Sequence, residues 1–234
     1  VTKSGRSYVY AEVNAEWVLL GEPMLGGSSN ELFGWAVSIS PNAPFVAVGA
    51  PLLEGSSGSG YAKVFTFQEN EWQLYGEQMM LGGAGDRFGF SVSLAGDYNN
   101  QRVAIGAPGM TGNGEGSGLV SVYESDGSGS WKRSGDDLLG IGAGENFGFA
   151  VAMTSDATRM TVGVPNKKVE GVTVGEVQVV DITSDGLVSA GVISGRDGEN
   201  FGASVSISHD GMLVYGGSPK TNLIRAFGEM YYQR

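Results

Sequence analysis

An all-β fold, a β-propeller of four-stranded antiparallel blades, is predicted by three features of this sequence. A Phe-Gly segment recurs four times, a Gly-x-Pro segment follows each copy, and glycine punctuates the stretches between them. Forty of the 234 residues are glycine, against a usual share of ~7%. They are not in collagen register, and 41% of the chain is hydrophobic. Many short strands joined by tight turns suit that composition, and disorder does not. No apolar stripe at i, i+3, i+4 is sustained, and glycine interrupts every window of helix length.

Each unit opens with a first strand: Phe33-Gly-Trp-Ala-Val-Ser-Ile-Ser40, Phe88-Gly-Phe-Ser-Val-Ser-Leu-Ala95, Phe147-Gly-Phe-Ala-Val-Ala-Met-Thr154 and Phe201-Gly-Ala-Ser-Val-Ser-Ile-Ser208. The phenylalanines lie 55, 59 and 54 residues apart. Small residues alternate with large ones, as a strand near a crowded axis requires. A second strand follows in Val46-Ala-Val-Gly-Ala-Pro51, Val103-Ala-Ile-Gly-Ala-Pro108, Met160-Thr-Val-Gly-Val-Pro165 and Val214-Tyr-Gly-Gly-Ser-Pro219, most of them apolar on both faces like strands packed between sheets. Gly60-Tyr-Ala-Lys-Val-Phe65, Gly118-Leu-Val-Ser-Val-Tyr123, Gly175-Glu-Val-Gln-Val-Val180 and a degraded Leu223-Ile-Arg-Ala-Phe227 supply a third. Trp17, Trp72 and Trp131 open a fourth. One sheet per roughly 55 residues, repeated radially, reads as a propeller whose blades must stack to bury their faces.

The expected organisation is a single domain over 1–234. Residues 1–32 end a preceding blade, 33–87, 88–146 and 147–200 are whole blades, and 201–234 is a last blade whose fourth strand would begin at Tyr232-Gln233. The chain starts at Val1, which is read as a processed or truncated product. A longer propeller lacking its N-terminal blades is the favoured reading. A small ring of four to five blades, closed by pairing terminal strands, is the alternative.

The Phe-Gly and Gly-Ala-Pro pairing, with a Gly-x-Val-x-Val/Tyr strand after it, resembles the FG-GAP repeat of integrin alpha-type propellers. Gly49-Ala-Pro51 and Gly106-Ala-Pro108 match as they stand, whereas Gly163-Val-Pro165 and Gly217-Ser-Pro219 are drifted copies. The resemblance implies calcium in the loops between first and second strands. The loops here hold one acid each, Asp97, Asp156 or Asp210, or none in residues 40–45. A site of six to eight oxygens is therefore not expected, and these acids read as turn residues bonding nearby backbone N–H groups. The resemblance also implies that the loops between second and third strands share one ligand-facing end with the turns before Phe-Gly.

No catalytic constellation is expected. His209 is the only histidine, cysteine is absent, and no G-x-S-x-G elbow occurs. The run Gly109-Met-Thr-Gly-Asn-Gly-Glu-Gly-Ser-Gly118 lacks the Lys-Ser/Thr of a phosphate loop and reads as a surface loop. Asp136 and Asp137 are adjacent, so on a strand they point to opposite faces. Asp86, Glu145 and Glu199 recur in the turns before Phe-Gly and are expected to tie each turn to the neighbouring blade. With 14 basic and 25 acidic residues the net charge is −11, which argues against nucleic acid as a partner. No apolar run reaches the ~20 residues of a transmembrane helix.

These features predict a non-catalytic binding or scaffolding module, without a cofactor or metal, acting on a protein partner or within a larger complex. The candidate contacts break the repeat's symmetry: Trp35, and Asn113, Glu115, Lys167 and Lys168 in the loops 110–117 and 166–173. A carbohydrate-binding propeller is the alternative, with Trp35, Tyr98 or Tyr61 as the aromatic platform. The expected location is secreted, cell-surface or within an organelle lumen.

Overall fold

A computed structural model describes residues 4–52, 55–220 and 223–228; the fourth strand expected at Tyr232-Gln233 lies outside them. All regular structure among these residues is β, and no helix is long and apolar enough to cross a membrane. A leading hairpin comprises β1 (Arg6–Ser7), β2 (Tyr10–Val13), β3 (Glu16–Leu19) and β4 (Met24–Leu25). Blade I follows as β5 (Ala36–Ile39), β6 (Phe45–Ala50), β7 (Tyr61–Gln68) and β8 (Glu71–Leu74). Blade II holds β9 (Ser91–Asp97), β10 (Asn100–Ala107), β11 (Leu119–Ser125) and β12 (Trp131–Arg133), with β13 (Leu138–Leu139) returning to β11. Blade III is β14 (Ala150–Met153), β15 (Arg159–Val164), β18 (Glu176–Thr183) and β19 (Gly186–Ser194), interrupted by the small hairpin β16 (Lys168–Val169) and β17 (Val172–Thr173). Blade IV contributes β20 (Ser204–Ile207), β21 (Leu213–Ser218) and β22 (Leu223–Gly228).

Strands pair antiparallel in sequence order within each blade. Turn chemistry sets those pairings: Asn14-Ala15 and Glu69-Asn70 take positive φ at both central positions, the conformation that matches the twist of a two-residue hairpin. The first strands β5, β9, β14 and β20 lie against one another in succession, so they form the innermost layer. Neighbouring blades are stitched there by a serine, with Leu94 N donating to Ser38 Oγ at 2.9 Å and Met153 N to Ser93 Oγ at 3.0 Å.

The core sits in the seams between sheets. Phe45, Ala47 and Val64 of blade I pack with Phe88, Val92, Leu94 and Ile105 of blade II; Ala104 and Val122 meet Phe147, Met160 and Val162 in the next seam. Every phenylalanine of the Phe-Gly repeats is buried, each contributing about 1.5–3 kcal/mol through burial. The paired glycines of the repeat have a steric reason. A Cβ on Gly106 would collide with the Gly148 carbonyl of the next blade, and Gly49 and Gly163 stand in the same relation to Gly89 and Gly202. Gly60 (φ 87°) opens its third strand by bridging to Phe88 of the following blade, as Gly118 does to Phe147 and Gly175 to Phe201.

Candidate functional site

First strands begin, and second strands end, at one end of every blade, so the turns before Phe-Gly and the loops after Gly-x-Pro gather at that end. Backbone bonds join them: Gly109 N donates to Asp86 O at 3.1 Å and Asn166 N to Glu145 O at 3.3 Å. The residue after each Phe-Gly heads an innermost strand. Trp35 meets Phe90 and Phe90 meets Phe149 there as tilted rings, with centroids 5.5 Å and 4.9 Å apart. Trp35 is 54% exposed; Ala203 ends the row.

Beside this ladder lies a cleft of about 280 Å³ whose lining includes Pro51, Leu52, Arg87, Glu115 and Asn146. It brings loops of blades I and II against the turn of blade III. Asn146 Nδ2 donates to Pro108 O at 2.9 Å, and Asn200 Nδ2 to Pro165 O at 3.0 Å, so amides link these two turns to the preceding blade. Asp86 accepts from Gly83 N at 2.6 Å and Glu199 from Arg196 N at 2.8 Å in their own turns, while Glu145 accepts from Lys167 Nζ, 22 residues on, at 3.0 Å. An anion three residues along closes its own turn at short range, whereas the neutral amide can donate across the seam.

The remaining expected contacts divide. Asn113 donates through Nδ2 to Gly140 O at 2.9 Å and shapes its loop, while Glu115 is exposed beside the cleft. Lys167 is largely buried and pairs with Glu145 at 3.0 Å; Lys168 is exposed on β16. The two lysines therefore do not form one positive spot. Tyr61 is buried, donating to Glu31 Oε2 at 2.7 Å, so it offers no sugar platform. Burial and the Glu31 carboxylate push its phenol well above the ordinary range. Burial opposes ionisation of Glu31, but the Tyr61 hydroxyl and backbone N–H groups outweigh it and hold the carboxyl below its usual value. Tyr98 is exposed but lies in the turn between β9 and β10, at the opposite end from Trp35.

That opposite end carries the acidic turns. Asp156 Oδ1 accepts from Thr154 Oγ1 at 2.6 Å and Thr158 N at 3.0 Å; Asp210 Oδ1 accepts from Met212 N at 3.0 Å. The His209 ring meets Ser155 Oγ across the seam, while the hydrogen bonds of Asp210 go to Ser208 and Met212. Asp137 is committed to Ser121 and Arg133, and adjoining Asp136 is exposed. A polar cleft here, lined by Asp97, Glu124, Asp126, Asp156 and Lys132, was not foreseen, because its acids come from three separate turns and from β11. Among the described residues, no three acidic or histidine side chains form a group able to hold a metal.

A family model described as the FG-GAP repeat matches residues 82–123, from the turn before Phe88 to the third strand of blade II. The chain carries an FG-GAP repeat. Its fold is similar to hydrazine synthase of Kuenenia stuttgartiensis, with a TM-score of 0.62 at 15% identity, over 97% of this chain and 66% of that one. A chain in the crystal structure of the mitotic checkpoint complex gives a TM-score of 0.59 at 11% identity, over 97% of this chain and 58% of the other. The chain thus spans less than two thirds of the length of these solved chains. At such identities the likeness carries the propeller fold alone. No curated protein sequence matches the chain.

Proposed function

We propose that this chain is a non-catalytic interaction module that holds a protein partner at the Phe-Gly end of its blades. The observation that carries the reading is the Trp35–Phe90–Phe149 ladder. Rings stacked in the seams are ordinary packing, but an indole 54% exposed at the head of the innermost strand leaves an aromatic face open. On a protein of net charge −11, an open aromatic face favours a basic side chain, whose attraction to a ring is worth about 0.5–2 kcal/mol. The rigid seams hold the ladder in place, so little ordering is needed on binding. A secreted, cell-surface or lumenal setting belongs to the same proposal, as does assembly into a larger complex.

The test replaces Trp35 with Ser and, at the opposite end, Tyr98 with Ser. Chemical cross-linking followed by mass spectrometry, in extracts of the source organism, reads partner capture. Trp35→Ser is expected to lower capture at least tenfold with an unchanged melting temperature, and Tyr98→Ser to leave capture intact. Equal capture by both variants would sink the proposal. A glycan array that binds the wild type and not Trp35→Ser would replace it with the carbohydrate reading.

A further inference from the structure

Blade II departs from its neighbours at its outer edge. Blade I joins β7 to β8 through Glu69-Asn70, and blade III joins β18 to β19 through Ser184-Asp185, but residues 126–130 separate β11 from β12. The longer turn is held from within. Asp126 Oδ1 accepts from Ser128 N at 2.8 Å, Ser128 Oγ at 2.6 Å and Ser130 N at 3.3 Å, and Asp126 N donates to Ser130 O at 3.2 Å. The turn also rests on blade I: a Cβ on Gly76 would collide with the Gly129 carbonyl and the Trp131 ring.

Between this turn and the segment that follows β8 lies a cleft of about 420 Å³. Trp131, Tyr123 and Met80 give its lining an apolar part, and Glu77, Gln78 and Ser130 a polar one. The indole is fixed in place, because Trp131 Nε1 donates to Tyr75 O at 2.9 Å and the ring meets Tyr75 edge-on at 6.0 Å. It is nevertheless only partly buried. Glu77, Gln78 and Ser130 are exposed, and among the described residues the Glu77 carboxylate and the Ser130 hydroxyl have no partner. Blade III does not repeat the arrangement, with Val180 in the place of Tyr123 and Leu187 in the place of Trp131.

The lining selects its ligand by chemistry. Glu77 is the one charged side chain in it, which disfavours an anion. Gln78 and Ser130 donate as well as accept, so a bare cation would leave their donors unused. A sugar matches all of these groups: its C–H face covers an aromatic ring, and its hydroxyls accept from the amide while donating to the carboxylate. The volume falls within the roughly 300–1,000 Å³ of small-molecule sites.

We propose that this cleft is a saccharide-binding site, in which a sugar ring stacks on Trp131 and its hydroxyls bond Glu77, Gln78 and Ser130. Turn and indole are held before any ligand arrives, so binding needs little ordering. β12 is the outermost strand of blade II, whereas Trp35 heads β5, the innermost strand of blade I. The sugar site is thus separate from the surface assigned to a protein partner, and either can fail without the other.

The test screens the whole chain on an array of oligosaccharides and titrates a bound glycan into isotopically labelled protein. The indole N–H resonance of Trp131, assigned from its loss in Trp131→Phe, is expected to move. Glu77→Ala should weaken the glycan at least tenfold and Ser130→Ala by a few fold, as charged and neutral hydrogen bonds do. Both lie at exposed positions and should leave the circular dichroism spectrum unchanged, and Trp35→Ser should bind as the wild type does. An array without hits overturns the proposal. So does a glycan that leaves the Trp131 signal in place, or one bound equally by Glu77→Ala and Ser130→Ala. Tetramethylammonium probes the competing chemistry: if it moves the Trp131 signal and no glycan does, the cleft is a cation site and the proposal falls.

Discussion

β5 and β9 carry nearly the same sequence, Ala36-Val-Ser-Ile39 and Ser91-Val-Ser-Leu94, and meet opposite fates. Val92 and Leu94 are 8% and 2% exposed, whereas Val37 and Ile39 are 64% exposed. Both strands pair with a second strand in the same register, so neither the ladder nor the local pattern makes the difference. What differs is the neighbour: Phe45 and Ala47 lie over β9, and no described strand lies over β5 in the same way. Burial in a repeat architecture is a property of the seam, not of the strand.

The largest effect expected from this contrast comes from truncating the two equivalent side chains. Leu94→Ala removes packing from a filled seam and should cost about 2–5 kcal/mol. Ile39→Ala, at an exposed position, should cost less than ~0.5 kcal/mol. Urea unfolding of both variants measures the difference. Equal losses would mean that β5 is covered in solution even in the single chain, and the contrast between the two strands would vanish.

Much of this was legible in the sequence because repetition multiplies a weak signal. One Gly-x-Pro segment says little; four in phase with Phe-Gly give strand order, the buried phenylalanines and the glycine pairs that meet across each seam. The site was less legible. Trp35 was readable as a departure from the repeat, yet its contact with Phe90 depends on how closely successive blades approach. Lys167 and Lys168 looked like one feature, but the pairing of Lys167 with Glu145 joins residues 22 apart in sequence. Short-range turn closure by Asp86 and Glu199, against long-range donation by Asn146 and Asn200, turns on distances that composition does not encode.

A smaller effect should separate the tryptophans that open the fourth strands. Trp131 Nε1 donates to Tyr75 O of the preceding blade at 2.9 Å, and Trp72 Nε1 to Leu20 O of the leading hairpin at 2.7 Å. Trp17, the same residue in the leading hairpin, is 71% exposed. Trp131→Phe keeps most of the ring contact but strands a carbonyl, which should cost about 1 kcal/mol. Trp17→Phe should leave stability unchanged, because most of its indole faces solvent. Thermal melts of the two variants distinguish them. A Trp17→Phe loss as large as that of Trp131→Phe would contradict the exposed position of that indole.

The smallest expected effect concerns the acidic turns at the far end of β9, β14 and β20. Burial would raise the carboxyl of Asp156, but the hydroxyl and amide bonds from Thr154 and Thr158 outweigh it, so its pKa lies below the ordinary 3.8. A carboxyl with a lowered folded pKa contributes stability that is fully present above its ordinary value and is lost as pH falls through the lowered one. The turn it closes also presents Ser155 O to Gly96 N at 3.1 Å, which ties blade III to blade II. Acidification from pH 5 to pH 3 should therefore lower the urea midpoint of the wild type. Asp156→Asn keeps an acceptor without the charge, so it should begin lower and lose less over the same interval. Because this carboxyl is largely solvated, the difference should be well below that of Leu94→Ala. A wild type and variant with identical pH slopes would mean that the turn holds through its hydroxyl and backbone bonds alone, leaving apolar packing as the force that distinguishes a covered strand from an open one.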